Sequence, residues 1–338
     1  MPEHRIKSDL AAAVGKLDRA RVLVVGDAML DRYIFGRIDR ISPEAPVPVL
    51  VVEKEQAEPG GAGNVVHNLI GLGAACAFVS VIGDDRAGTE LTSLIGGQAG
   101  VEPWLLVQGG RRTTVKTRFI AEGARRGGQH LLRSDREDTR PIHPKLAERL
   151  LRIAVGAIAA TSVLVLSDYR KGVLAGDIPA QLIAAAKAAG RQIVVDLRSN
   201  DWDRFAGADI MVAHAHDMLP PNQPATDDAV AAAGRALCAA HGFHAMLVKR
   251  GADGFSFIDA RACTHLPLTA EETRDLAGAG DAAVAAIAAA LAAGIAPRTA
   301  ARLAQAAAGL IGNSIGNAVA RVDALLEKVS GGGGISER

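Results

Sequence analysis

Two hydrophobic rhythms alternate along most of this chain. Arg21-Val22-Leu23-Val24-Val25-Gly26-Asp27 is apolar at every central position, and the stretches 77–83, 163–166, 192–196 and 245–248 repeat that pattern. A continuous short apolar run predicts a strand covered on both faces, as in a parallel sheet. Between these runs, apolar residues recur every three or four positions, predicting helices over 61–72, 86–95, 143–159, 177–189 and 226–241. Repeated strand–helix–strand units imply right-handed crossovers with helices on both sheet faces. After Thr269 the pattern turns purely helical, over 279–294, 297–313 and 321–329.

Two stretches behave differently. Val47-Pro48-Val49-Leu50-Val51-Val52-Glu53 follows a Pro-rich turn, and residues 113–120 alternate polar with apolar. In the second, Thr114, Lys116 and Arg118 share one face, with Val115, Thr117 and Phe119 on the other. Residues 129–135 offer a partner strand. The pattern predicts a small sheet exposed on one side, built from about 32–53 and 110–135, either a lid or a surface excursion. The fold class is therefore α/β: a doubly wound, mostly parallel sheet with flanking helices and a small β-sheet lid. Residues 1–18 read as an N-terminal extension, 19–329 as a single domain, and 330–338, with its glycine run, as a flexible tail.

Composition narrows the function. Hydrophobic residues make up 49% of the 338 and aromatics only 3%, so Ala, Val, Leu and Ile must build the core. Thirty-eight basic against 37 acidic residues leave a charge of +1. That balance points to no nucleic-acid or membrane-surface partner. Cys76, Cys238 and Cys263 lie far apart, without metal-ligand or disulfide spacing. The apolar runs near 155–165 and 282–293 are too short to span a bilayer. A cytoplasmic protein is the expectation.

The chemistry concentrates at glycines and strand ends. Gly278-Ala279-Gly280-Asp281 precedes a helix that stops at Gly294, with Pro297 beyond. Backbone N–H groups there can converge on an anion, helped by the helix dipole. Asp281 beside such an anion could take a proton from a hydroxyl attacking a phosphoryl group. A glycine turn with an N-capping aspartate would look the same. Gly60, Gly61 and Asn64 open another helix and permit close backbone approach to a ligand. The spacing fits neither a dinucleotide fingerprint nor a P-loop. Asp27, Asp31, Asp168 and Asp196 follow or end predicted strands, the edge where open α/β sheets bind ligands.

Taken together, these residues resemble the ribokinase-like (PfkB) carbohydrate kinases over about residues 21–327. The segments carrying the resemblance are residues 24–33, 40–49, 59–65, 116–118, 131–133 and 166–172. Arg40-Ile41-Ser42-Pro43-Glu44-Ala45-Pro46-Val47-Pro48 is specific to the branch that phosphorylates heptose 7-phosphate. The resemblance implies transfer from ATP, with Mg²⁺, to O1 of D-glycero-D-manno-heptose 7-phosphate, giving the 1,7-bisphosphate of lipopolysaccharide-core precursor synthesis. It implies Asp281 as base, Gly278, Ala279 and Gly280 as an anion hole, and Asp31, Gly60, Gly61, Asn64 and Asp168 on the sugar side. Lys116, Arg118, Arg133 and Lys171 are candidates for the substrate's own phosphate, since an anion needs cationic partners. On the nucleotide side fall His214, Asp217, Lys249, Gly251, Gly254 and Asn313. A homodimer joined through the lid follows by analogy. No protein-held metal is implied. The adenylyl-transfer activity often fused to such kinases has no His-x-Gly-His motif here and is expected from a separate enzyme.

Departures from the pattern cluster on the nucleotide side. His214-Ala215-His216-Asp217 stands for the usual Asn-x-x-Glu, Lys249 for a threonine, and Ala277 and Ala282 for two hydroxyl residues flanking the glycines. A kinase for a different sugar or sugar phosphate, and a sugar-phosphate binder with weak turnover, are the alternatives these changes leave open.

Overall fold

A computed structural model of the chain describes residues 2–122, 128–273, 276–312 and 318–331. Asn313 and most of the expected tail lie outside the described residues. In chain order the elements are α1 (Pro2–Val14), β1 (Arg21–Gly26), β2 (Ala28–Ile41), β3 (Pro48–Gly61), α2 (Ala62–Gly71), β4 (Ala75–Gly83), α3 (Arg86–Gly96) and β5 (Val101–Gln108). They continue with β6 (Thr114–Ala121), β7 (Gln129–Arg136), α4 (Pro144–Ile158), β8 (Val163–Asp168), α5 (Ile178–Ala188), β9 (Gln192–Leu197), β10 (Ile210–His214), α6 (Ala215–Met218) and α7 (Asp227–His241). The last are β11 (Ala245–Lys249), β12 (Phe255–Asp259), β13 (Cys263–Leu266), α8 (Ala279–Ala292), α9 (Pro297–Ile311) and α10 (Val322–Ser330).

Among the described residues, nine strands form the main sheet in the order β13-β12-β11-β10-β9-β8-β1-β4-β5. Pairing is parallel from β11 through β5 and antiparallel at the β12–β13 edge. The period-two geometry of β1 explains its sequence. Val22 and Val24 enter one core, and Leu23 and Val25 enter the other. The first core is closed by α1, α2, α3, α8, α9 and α10, the second by α4, α5 and α7. Nine consecutive residues of α8, 282–290, are fully buried. Their mostly alanine side chains let this helix sit close to the sheet and to α9.

The small sheet has the order β3-β2-β6-β7, with β2 and β6 parallel and the outer pairs antiparallel. It departs from the main sheet directly after β1, so its base lies at the carboxyl edge of the central strands. Residues 2–14, read as an extension, form α1, which buries Leu10 and Val14 in the first core. Such burial contributes about 2 kcal/mol per side chain. Strands β5, β12 and β13 were not expected from the sequence. Pro103 and Glu102 interrupt the apolar run of β5, an edge strand exposed along much of its length.

Candidate active site

The carboxyl ends of β9, β10 and β11 present Asp196, Arg198, His214 and Lys249 toward the start of α8. A cavity of about 240 Å³ opens there, between the small sheet and the segments 251–268 and 276–281. Met29, Asp31, Gly61, Lys116, Arg118 and Tyr169 line one side; His214, Lys249, Gly251, Gly254, Phe255 and Leu268 line the other. Leu276 through Asp281, with Arg198, complete the wall. Four cationic side chains against two carboxylates make this a site for anions.

Asp281 is buried in the first turn of α8. Gly278 caps that helix at φ 79°, a left-handed conformation suited to glycine. Asn64 Nδ2 donates to Asp281 Oδ2 at 2.9 Å. Arg198 Nη2 donates to Oδ1 at 3.0 Å, and the Tyr169 hydroxyl donates to the same oxygen. Burial pushes the carboxyl above its ordinary range, opposed by the Arg198 guanidinium. Beside it, Lys249 Nζ meets Asp196 Oδ1 at 2.5 Å, while Arg198 lies 3.5 Å from Asp196 Oδ2. Burial works against the Asp196 carboxylate, but Arg198 and Lys249 outweigh it and hold the group below the usual range. Burial and then Lys249 and Arg198 push His214 down to about 3, so this imidazole is neutral.

On the lid side, Arg118 Nη1 pairs with Asp31 Oδ1 at 3.0 Å and lies over the Tyr33 ring. Lys116 sits over Tyr169, and burial lowers its pKa. The two cations predicted to share one strand face do point into one cavity. Gly60 and Gly61 fit tight places. A Cβ on Gly60 would come within 2.6 Å of the Asp31 carboxyl, and one on Gly61 within 2.7 Å of the Asp27 carbonyl oxygen.

The structure does not gather every candidate. Asn64 is fully buried, bonded to Asp281 and to Asn68, and supports Asp281 rather than lining the cavity. Gly60 shapes the wall from behind. Asp168 and Lys171 face a neighbouring cavity of about 740 Å³, where Asp168 meets Arg204 and Lys171 meets Glu137. Arg133 is exposed and paired with Asp135 on β7, beyond the cavity. Asp217 contacts His216 and does not line the cavity. Conversely, Tyr169 and Arg198 carried no predicted role, although each stands within two residues of an aspartate at a strand end.

Among the described residues, no group of three His, Cys, Asp or Glu side chains could hold a metal ion. Asp196 and Asp281 are each already engaged by cations or donors. Among the described residues, the side chains around the cavity therefore do not form a protein-held magnesium site. A divalent cation would enter as part of the nucleotide substrate, on its phosphate oxygens.

Comparison with known proteins decides the family. Residues 19–320 match the description pfkB family carbohydrate kinase. The chain belongs to this family. It is a phosphotransferase with a sugar hydroxyl as acceptor. "Bifunctional protein HldE" of Acidiphilium cryptum is 53% identical over 290 residues, covering 85% of this chain and 58% of that one. The protein of the same name from Paramagnetospirillum magneticum is 45% identical over 287 residues, covering 83% and 58%. The chain thus spans little more than half the length of these relatives. Among solved structures, the tetrameric inhibited form of phosphofructokinase-2 from Escherichia coli superposes with a TM-score of 0.72 at 17% identity, over 92% of this chain and 98% of that one. Arabidopsis thaliana ribokinase complexed with ribose and ATP gives 0.67 at 20% identity, with the same coverage. Both show the ribokinase-like fold. Among the described residues, no helix is long and apolar enough to cross a membrane.

Proposed function

We propose that this kinase uses MgATP to phosphorylate O1 of D-glycero-D-manno-heptose 7-phosphate, with Asp281 as the base. The observation that carries this reading is the position of Asp281. It stands at the amino end of α8 in a cavity with Lys116 and Arg118 toward the lid, and with Lys249 and the glycines 251 and 254 on the far side. An anionic acceptor fits the first group and nucleotide phosphates fit the second. The lid-side motifs, and relatives named bifunctional protein HldE, support the choice of heptose. Arg198 opposes the burial that raises the Asp281 pKa and so favours its carboxylate form. A weak base suffices, because the acceptor proton leaves late in a loose phosphoryl-transfer transition state. Closure of the small sheet would exclude water from that step. Exposed Ile41, Val52 and Leu132 on the small sheet, with Val47 in the turn before β3, support association of two copies through it.

The test is ADP release from MgATP with heptose 7-phosphate and a panel of other sugar phosphates, for the wild type and Asp281→Asn. Heptose-dependent turnover that falls by about 10²–10⁴ in the variant is the expected result. One observation favours a second reading, a sugar-phosphate binder with weak turnover: both oxygens of Asp281 are occupied. Binding without turnover, unchanged by Asp281→Asn, would select it.

A further inference from the structure

Tyr169 donates to Oδ1 of Asp281, the oxygen that Arg198 also contacts. Arg198 Nη2 reaches the phenol oxygen as well, at 3.1 Å, and the ring is flanked by Lys116 at 5.6 Å and Arg198 at 4.8 Å. This placement is enforced from below. Asp27 Oδ2 accepts the backbone N–H groups of Tyr169 and Lys171 at 2.9 Å each, and its Oδ1 accepts that of Val173 at 3.0 Å. Arg170 is held at φ 60°, left-handed for a non-glycine residue, with its N–H on Asp168 Oδ1 at 2.8 Å. A strained loop pinned by two carboxylates is built to present one side chain.

That side chain takes up bonding capacity which an acceptor must use. Asn64 holds Oδ2 and the Arg198 charge balances the carboxylate, so the Tyr169 O–H is the donor on Asp281 that most resembles a sugar alcohol. We propose that the Tyr169 hydroxyl is a placeholder for the acceptor hydroxyl: it covers the base against water in the empty enzyme and yields when the sugar binds. Tyr169 lines both the main cavity and the neighbouring one, so the residue stands between two open spaces. In the transfer, the sugar O–H breaks and its proton passes to Asp281. The sugar oxygen bonds to the γ-phosphorus as the bond from that phosphorus to the bridging oxygen of ADP breaks. Tyr169 keeps its own proton throughout, since burial pushes the phenol well above its ordinary range. The inference rests on the reading of Asp281 as base.

The test uses the full chain with Tyr169→Phe. Sugar-independent ADP release from MgATP should rise about tenfold, the kinetic equivalent of one lost hydrogen bond to a charged group. Heptose-dependent transfer should be largely kept. Its acid limb should move to higher pH, because Tyr169 donation lowers the pKa of Asp281, which also faces Arg198, Asn64, Asp196 and Lys249. A second measurement leaves Tyr169 and Asp281 themselves unchanged. With Tyr33→Phe, Tyr169 is the sole tyrosine of the chain, and adding heptose 7-phosphate should shift its near-ultraviolet band. Unchanged hydrolysis with an unmoved acid limb, or a band that ignores the sugar, overturns the placeholder. Full turnover by Asp281→Asn would instead remove the base reading beneath it.

Discussion

Lys249 pairs with Asp196 and is proposed to contact ATP, and one pair of variants separates the two. Its ammonium is 5% exposed and its partner Asp196 is fully buried, so solvent does little to screen their 2.5 Å contact. Lys249→Met keeps the stem that packs beside Gly280 and strands the Asp196 charge. Removing one member of a buried pair costs about 3–5 kcal/mol. Arg198 remains 3.5 Å from Asp196 and offsets part of this, which favours the lower end. Unfolding entropy of about 2.1 cal/mol/K per residue gives about 0.7 kcal/mol/K for a chain of this length, so Tm should drop by about 4 °C. Adding Asp196→Asn removes the stranded charge and should restore most of the loss. The KM for ATP should behave differently. It should rise about ten- to a hundredfold in both variants, as for one lost hydrogen bond to a charged group. Thermal unfolding followed by circular dichroism, alongside initial rates, reads both quantities. A single variant within about a degree of wild type, or a double variant less stable than the single, would refute the electrostatic argument.

Burial, then the neighbouring Asp168, pushes the Asp27 carboxyl from 3.8 up to about 6. A carboxyl raised on folding binds more protons in the folded state, so its contribution falls as pH rises between those values, by about 3 kcal/mol. Asp27→Asn should remove that share of the pH slope in denaturant midpoints, and an identical slope in the variant would count against the assignment. Gly280→Ala would place a methyl 3.1 Å from Lys249 Cδ and 3.6 Å from Arg198 Nη2, a contact relieved by a small shift. Its stability should change by less than about 1 kcal/mol, while kcat/KM for ATP falls by about tenfold or more through displaced cations; equal kinetics in the two proteins would sink this prediction. Arg118→Met removes the charge paired with Asp31. It should raise the KM for the sugar phosphate about tenfold and leave that for ATP unaltered, and a selective effect on ATP would reverse the assignment of the two cavity ends.

The central strands were legible because each buries both faces, and a residue run records that demand directly. Edge strands β5, β12 and β13 were not, since their existence depends on a neighbour already being in place. The same contrast divides the site. Lys116 and Arg118 could be assigned to one face by the two-residue period of β6, and Gly278–Asp281 by the helix it opens. Tyr169, Arg198 and Asp281 meet across separations of 29, 83 and 112 residues, fixed by crossovers rather than by local spacing. Asp27 and Asp281 make the point most sharply. Both are buried aspartates at the catalytic edge, indistinguishable by residue type or by glycine neighbours. Asp27 spends its oxygens on three backbone N–H groups of one loop and so becomes scaffold. Asp281 is met by the side chains of Asn64, Tyr169 and Arg198, and it opens on the cavity. What separates the strut from the proposed base is that one carboxylate is met by backbone and the other by side chains, and the loop that Asp27 pins is the one that delivers Tyr169 to Asp281.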